Sequence, residues 1–203
     1  MKTSPSLLPL LRSQLQGDLL ALTLLHPEQP YTLGDLAEQL RVSHTSVLRE
    51  VNRLIEAGIL TDRRVGRTRL VTVRTDTPLA RPLTDLIAAA FGPVPLLTDA
   101  LSEVPGATRA YLYGPWAARY NGENGPPPTD IDLLVVGDPD PDELSAAIVQ
   151  PAHRLRREVN VHLTTPAAWS TPTDDPTLAT IHAQPLVELP LTHTPITTWG
   201  TWD

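Results

Sequence analysis

Apolar residues recur at helical spacing through the first quarter of the chain and at strand spacing afterwards. The Leu-rich run 7–25 predicts a first helix that His26-Pro27 ends. Two further helices are predicted from apolar positions three and four residues apart. These positions are Leu33, Leu36, Ala37 and Leu40, followed by Val47, Leu48, Val51, Leu54 and Ile55. Two short strand-like runs joined at Gly66 then predict a β-hairpin.

Short polar residues mark where these helices begin. Thr32 is predicted as an N-cap, with Asp35 in the capping-box position that usually holds Glu or Gln. Arg41-Val42 forms a short turn, Ser43 caps the next helix, and Gly58 follows that helix as its C′ residue. The order helix, helix, turn, helix, hairpin is that of a winged helix-turn-helix.

Basic residues concentrate in this region. From Arg41 to Arg74 there are eight Arg against Glu50, Glu56 and Asp62, a local balance of +5 in a chain whose net charge is −7. Such asymmetry indicates a polyanion-binding segment joined to an acidic body. The residues expected to contact double-stranded DNA lie on the predicted helix after the turn and on the hairpin. They are Ser43, His44, Thr45, Ser46, Arg49, Arg53, Arg63, Arg64, Arg67 and Arg69.

The segment YTLGDLAEQLRVSHTSVLREVNRLIEAGILTDRRVGRTRLVTV resembles bacterial transcriptional regulators of the ArsR/MarR type. The resemblance implies that the second helix of the pair enters the major groove and that the wing touches the backbone or the minor groove. Since helix-turn-helix proteins commonly bind paired half-sites, a homodimer is expected. The alternative is a winged helix that serves as an adaptor surface for another protein.

The second half of the chain alternates strands and helices. The runs Arg109–Tyr113, Asp130–Val136 and Val159–Leu163 are predicted strands. Gly114-Pro115 turns into a short helix, a Gly/Pro loop covers 121–129, and a helix over 142–157 carries Pro151 as a candidate break.

Asp130 and Asp132 open one of these strands. Residues i and i+2 of a strand point to one face, about 6.5 Å apart. Two carboxylates so placed repel each other unless a cation lies between them. Hard divalent cations such as Mg²⁺ take oxygen ligands, commonly one or two carboxylates plus substrate phosphates. The pair is therefore a candidate site for a metal-nucleotide.

The stretches YLYGPWAARYNGENGPPPTDIDLLVVGD and RLRREVNVHL resemble the nucleotidyltransferase domain of the DNA polymerase β superfamily. The resemblance is to minimal nucleotidyltransferases and, more distantly, to MntA-type antitoxins. It implies that Gly114 and Pro115 form the turn that holds nucleotide phosphates. It also implies that Asp130 and Asp132 bind Mg²⁺, and that Asn160 stands at the position of a third catalytic carboxylate. ATP or another nucleotide is the implied ligand.

Two of these positions depart from that pattern. Pro115 replaces Ser or Gly and removes an N–H donor and a hydroxyl. Asn160 is a neutral amide, which can bind a cation but cannot act as a general base near neutral pH. Glu158 and His162 share the strand face of Asn160 by parity and could replace it. Two functions follow: a DNA-binding regulator with a degenerate Mg-nucleotide-binding domain, or an active, antitoxin-like enzyme transferring AMP from ATP to a toxin-like partner.

The predicted fold class is therefore α+β, a winged helix-turn-helix followed by a nucleotidyltransferase-like domain whose mixed β-sheet is flanked by helices. The predicted parts are the DNA-binding domain at 1–76, connecting helices at 77–104, the second domain at 105–190 and a tail at 191–203. The chain has no cysteine, which excludes disulfides and thiolate metal sites. No bilayer-spanning run or signal peptide is recognised, so a cytoplasmic protein without a membrane partner is expected.

Overall fold

The computed structural model describes residues 11–191. The chain divides into two units between Gly92 and Pro93, inside the stretch expected to connect the domains. Both units combine helices with a β-sheet, which confirms the predicted mixture of α and β structure. Residues 7–10 of the predicted first helix and nearly all of the predicted tail lie outside the described residues.

The first unit is a winged helix. Its elements are α1 (Gln14–Leu24), β1 (Tyr31–Thr32), α2 (Leu33–Leu40), α3 (His44–Glu56), β2 (Leu60–Val65), β3 (Thr68–Val73) and α4 (Ala80–Phe91). The three strands form an antiparallel sheet in the order β1-β3-β2, and α1 packs against α4. This order confirms the arrangement predicted from the sequence.

The predicted caps form as expected. Asp35 N–H donates to Thr32 Oγ1 at 3.0 Å, and Thr32 N–H donates back to Asp35 Oδ2 at 2.9 Å, which completes a capping box. Ser46 N–H donates to Ser43 Oγ at 3.2 Å at the start of α3. Each bond satisfies an N–H group that a helix start leaves without an intrahelical partner. Together they fix the turn between α2 and α3.

The stretch Ala80–Leu101 is long and apolar enough to cross a membrane, with a mean hydropathy of 1.2. Gly92 divides it into α4 and a second helix, α5 (Pro93–Leu101). Within this stretch, 44% of the most apolar 18-residue window is buried. A buried core helix can have the same length and composition. Ile87 and Phe91 of α4, for example, are buried in the first unit.

The second unit is built on a four-stranded sheet. After α5 it contains β4 (Ala107–Tyr113), α6 (Gly114–Tyr120), β5 (Asp130–Gly137), α7 (Pro141–Leu155), β6 (Glu158–Thr164), α8 (Pro166–Ser170), a 3₁₀ turn (Pro172–Asp174), α9 (Pro176–His182) and β7 (Val187–Leu189). The strand order is β6-β5-β4-β7, with β5 and β6 parallel and the other pairs antiparallel. The three predicted strands are present, whereas α8, α9 and β7 were not predicted.

One sequence expectation about this unit was wrong. Pro151 lies inside α7 without ending it, and its ring is buried. Proline removes one hydrogen bond from a helix interior, yet α7 continues past it to Leu155. The crossover from β5 to β6 therefore runs through one continuous helix.

The two faces of the sheet have different roles. Leu134 and Val136 of β5 join Tyr111, Leu178 and Ile181 in a core cluster that α8 and α9 cover. Side chains alternate along a strand, so Asp130 and Asp132 lie on this same face, beyond the end of the cluster. The opposite face carries Ile131, Leu133 and Val135, which are fully buried. The fold thus holds the carboxylate pair rigidly at one end of a packed strand.

Candidate nucleic-acid interface and carboxylate site

Helix α3 leaves one polar face open. Val47, Val51 and Leu54 are buried, which turns the opposite side of the helix outward. The exposed residues on this helix and its cap are Ser43, His44, Thr45, Arg49, Asn52 and Glu56, with Ser46 and Arg53 half-buried. Asn52 was not among the residues expected to contact DNA. It lies three residues after Arg49, on the neighbouring turn, and its amide can donate to or accept from a base edge.

The wing is a hairpin with a two-residue turn at Gly66-Arg67. Gly66 has a φ of +61°, a left-handed conformation that glycine adopts without strain. Arg64 lies directly opposite Arg69 in the antiparallel register, so the two guanidinium groups share a face. Arg63 is one residue away and faces the other side. The basic hairpin is therefore divided between two faces and the turn.

Ion pairs neutralise some of the basic residues. Arg69 Nε donates to Asp62 Oδ2 at 2.7 Å. Arg53 Nη1 donates to Glu50 Oε2 at 2.8 Å, and Glu50 is only 6% exposed. No partner for the other oxygen of Glu50 is found within residues 11–191. Arg53 therefore compensates a buried carboxylate of its own helix.

In the second unit, β5 and β6 bring Asn160 against the aspartate pair. The parallel register places Asp132 beside Asn160 and Asp130 beside Glu158. Asn160 Nδ2 donates to Asp132 Oδ1 at 3.1 Å and to Asp130 Oδ2 at 3.2 Å. The amide nitrogen thus bridges two carboxylates that would otherwise repel each other.

The backbone of Gly114 closely approaches Asp132. Its φ is +64°, and a Cβ atom at this position would lie 2.6 Å from Asp132 Oδ2. Only glycine combines this conformation with this proximity. Pro115 follows within the first turn of α6, where a proline ring is well tolerated. The turn from β4 into α6 is therefore shaped by its contact with Asp132.

A cavity of about 440 Å³ lies beside Tyr113, which is paired with Asp132 on the neighbouring strand. Tyr113 lines it, and both burial and the negative charge of Asp132 raise the pKa of the Tyr113 phenol. The rest of the lining is contributed by α9 and its flank, namely Pro176, Thr177, Thr180, Ile181 and Gln184. The sequence contains no signal for these lining residues, because α9 lies about 45 residues after Asp132 in the chain.

Asp130 lines a second cavity, of about 390 Å³. Pro115, Arg119 and the loop 123–129 form its walls. Arg119 Nη1 donates to the carbonyl oxygen of Gly125, and Thr129 Oγ1 donates to Asp130 Oδ1 at 3.2 Å. The Gly/Pro loop is thereby held over this cavity and next to the pair.

The oxygen atoms of Asp130, Asp132 and Asn160 suit a hard cation once the Asn160 amide is turned over. Within residues 11–191 no group of three or more His, Cys, Asp and Glu side chains could hold a metal ion. Asp130 and Asp132 supply carboxylate oxygens. Asn160 presents its nitrogen, but a half-turn of the amide would present Oδ1 instead, and the two orientations differ only in hydrogen bonding. Two carboxylates and an amide oxygen are ligands that Mg²⁺ accepts.

No protein-family model and no curated protein matches the chain. Solved structures match part of it. A variant of ZitR from Lactococcus lactis is 25% identical over 38% of this chain and 51% of its own, with a TM-score of 0.32. The adhesin competence repressor AdcR of Streptococcus pyogenes is 24% identical over 38% of this chain and 55% of its own, with a TM-score of 0.32. The transcriptional regulator BldR of Sulfolobus solfataricus is 23% identical over 46% of this chain and 63% of its own, with a TM-score of 0.36. The chain thus spans about half the length of ZitR.

Proposed function

We propose that this chain is a cytoplasmic DNA-binding transcriptional regulator. In this proposal α3 enters the major groove and the wing follows the phosphate backbone. The observation that supports it most is a set of exposed basic residues in an otherwise acidic chain. Within residues 11–191, no carboxylate lies within ion-pair distance of these side chains, which are Arg41, Arg49, Arg63, Arg64 and Arg67.

The two parts of the interface would make different contributions. Arg63, Arg64 and Arg67 on the wing would contact phosphates, which gives affinity that depends on salt and not on sequence. Thr45, Arg49 and their neighbours on α3 carry short polar or forked donor groups that can read base edges. The cap at Ser43 fixes the start of α3, so its first turn would meet the groove in a defined orientation.

The wing also has an electrostatic reason to bind a polyanion. Like charges directly opposite on neighbouring strands destabilise a sheet, and Arg64 opposes Arg69. Asp62 relieves this repulsion only for Arg69. A phosphate between the two guanidinium groups would relieve it for both.

Fluorescence anisotropy with DNA from upstream of the chain's own gene tests this function. The triple variant Arg63→Ala, Arg64→Ala and Arg67→Ala should weaken binding to every sequence. It should also flatten the plot of log affinity against log salt by about 0.9 for each phosphate that the variant no longer neutralises. Arg154→Ala, which removes an exposed charge of α7 in the second unit, is the matched control and should change neither quantity.

The alternative for the first unit is an adaptor surface that binds another protein. It predicts that the wild-type chain binds no DNA even at low salt. Such a result would contradict the proposed regulator, whereas binding that the triple variant loses would support it.

For the second unit we propose that Asp130, Asp132 and Asn160 bind Mg²⁺ together with a nucleotide such as ATP. The supporting observation is that Gly114, the aspartate pair and Asn160 meet at one end of β5, next to a cavity that Pro115 and Asp130 line. Bound Mg²⁺ would neutralise the carboxylates and bridge them to phosphate oxygens. Asn160 cannot accept a proton from an attacking hydroxyl near neutral pH, so ligand binding without transfer is favoured.

Calorimetry with ATP, GTP, CTP and UTP, each with and without Mg²⁺, tests nucleotide binding directly. Heat that appears only with Mg²⁺ and is lost in Asp130→Asn supports the site. The absence of heat from all four nucleotides would reject it without affecting the DNA-binding proposal.

The alternative for this unit is nucleotidyl transfer to a toxin-like protein partner, which the retained aspartates favour. Incubation with labelled ATP, Mg²⁺ and the product of a neighbouring gene tests it. Label on the partner that disappears in Asp132→Asn would establish transfer at this site. Label that persists in this variant would place the chemistry elsewhere.

A further inference from the structure

Strand β6 forms one edge of the four-stranded sheet. This strand is the last in the order β6-β5-β4-β7, and within residues 11–191 no other strand pairs with its outer side. Val161 and Leu163 are each 40% exposed on it. An unpaired edge with apolar side chains is a template for another strand, and proteins usually block such edges.

The opposite edge of the same sheet, strand β7, has features that prevent pairing with another strand. Strand β7 has only the three residues Val187–Leu189, and Pro190 follows directly. Its central residue, Glu188, accepts a hydrogen bond from Arg109 Nε at 3.2 Å. Short length, a charged side chain and a proline are recognised ways to prevent edge pairing. In contrast, β6 has seven residues, contains no Pro, Lys or Arg, and has Glu158 only at its start.

The sequence of β6 is complementary to itself in one antiparallel register. If two copies pair about Val161, that residue meets its own copy and Val159 meets Leu163. In the same register Asn160 meets His162, and Glu158 meets Thr164. Apolar residues therefore oppose apolar residues, polar residues oppose polar ones, and no like charges face each other.

We propose that β6 is the interface for a second copy of this chain, forming a continuous eight-stranded sheet across a two-fold axis at Val161. A two-fold interface requires a surface that complements itself, which this register provides. Apolar contact would come from Val159, Val161 and Leu163 on the face opposite the aspartates. The proposal concerns the second unit and does not rest on DNA binding.

The pairing has a consequence for the carboxylate site. Residues opposite each other in an antiparallel pair point to the same face of the sheet. His162 of the second copy would therefore lie beside Asn160, on the face that carries Asp130 and Asp132. Each site of the dimer would thus gain an imidazole side chain from the other copy.

Sedimentation velocity of the full chain over a range of concentrations tests the interface. Val161→Glu places two glutamates against each other at the axis and should raise the dimer dissociation constant at least about tenfold. Val149→Glu is the matched control, because Val149 is 61% exposed and belongs to α7 rather than to the edge strand. A monomer at every concentration, or a dimer that Val161→Glu leaves intact, overturns the proposal.

Cross-linking provides a second test that does not depend on the stability of the glutamate variant. The chain has no cysteine, so a single introduced thiol reports on its own position. Val161→Cys treated with a short bis-maleimide should give a covalent dimer at low protein concentration, whereas Val149→Cys should remain monomeric. Equal cross-linking of both variants would also overturn the proposal.

Discussion

Asn160 lies beside Asp132 on neighbouring parallel strands, and its Nδ2 atom donates to Asp132 Oδ1 at 3.1 Å. The same nitrogen donates to Asp130, so a neutral amide does part of what a cation would do between two carboxylates. The site is therefore stabilised without a metal ion and retains oxygen atoms that a metal ion could bind.

Replacing Asn160 should alter both stability and the response to Mg²⁺. Asn160→Ala removes two hydrogen bonds to charged groups and should cost about 1–3 kcal/mol of folding free energy without Mg²⁺. Asn160→Asp should cost more, because it adds a third negative charge. Mg²⁺ should restore the melting temperature of Asn160→Asp more than that of Asn160→Ala. Equal melting curves for both variants with and without Mg²⁺ would contradict the assigned role.

Even the smallest substitution at Gly114 should lower the stability of the fold. Gly114→Ala places a Cβ atom 2.6 Å from Asp132 Oδ2 and also strains a backbone with a φ of +64°. Gly66→Ala is the matched control, since its φ is +61° and nothing lies within 4 Å of its added Cβ. Both should lose about 1–2 kcal/mol from backbone strain. Denaturant unfolding should show a further loss for Gly114→Ala alone, and equal losses would exclude the contact with Asp132.

Arg49 and Arg53 were both expected to contact DNA, but the structure gives them different surroundings. Arg49→Ala should lower DNA affinity about tenfold and leave stability unchanged, because this exposed side chain is available to a base or phosphate. Arg53→Ala should instead lower stability by about 1–3 kcal/mol, because it leaves buried Glu50 without its cation. Anisotropy and thermal melting measured on both variants separate the two roles. A reversed pattern would show that Arg53 leaves Glu50 to contact DNA.

Asp99 should make the stability of the folded state depend on pH. Burial raises the pKa of Asp99, and the positive charge of Arg154 offsets this only in part. A carboxyl group whose pKa is higher in the folded state binds its proton more tightly there. The folded state therefore loses stability as the pH rises from the ordinary aspartate value through the folded pKa.

Asp99→Asn should consequently raise the melting temperature near neutral pH and have little effect at pH values below the ordinary pKa of aspartate. Arg154→Ala should act in the opposite direction near neutral pH, because it removes the charge that favours ionised Asp99. Melting curves over a pH series check both variants. A benefit from Asp99→Asn that does not change with pH would exclude titration as its cause.

Local signals in the sequence were sufficient for much of the fold. The capping box at Thr32 and Asp35, the cap at Ser43 and the glycine turn at Gly66 depend on residues close together in the chain. Their hydrogen bonds and backbone angles are set by neighbours, so the winged helix could be predicted. The buried stripe of α3 followed from helical spacing in the same way.

The short elements after β6 could not be predicted. Helix α9 and strand β7 have only seven and three residues. Helix α9 packs against the sheet, and β7 is held by its pairing with β4. Such segments are too short to show a hydrophobic period, and isolated helices of this length are marginal in water. The cavity beside Tyr113 could therefore not be predicted from the sequence, because α9 and its flank form most of its wall.

The sequence by itself determined that Asp130 and Asp132 share a strand face, because alternation is a local property of a β-strand. It also determined the basic character of the first unit, which depends only on composition. Only the tertiary structure decided that Asn160 joins the two carboxylates, that Arg53 neutralises buried Glu50, and that β6 is an edge strand within residues 11–191. These relationships depend on strand register, burial and sheet order, which the packing of each unit fixes.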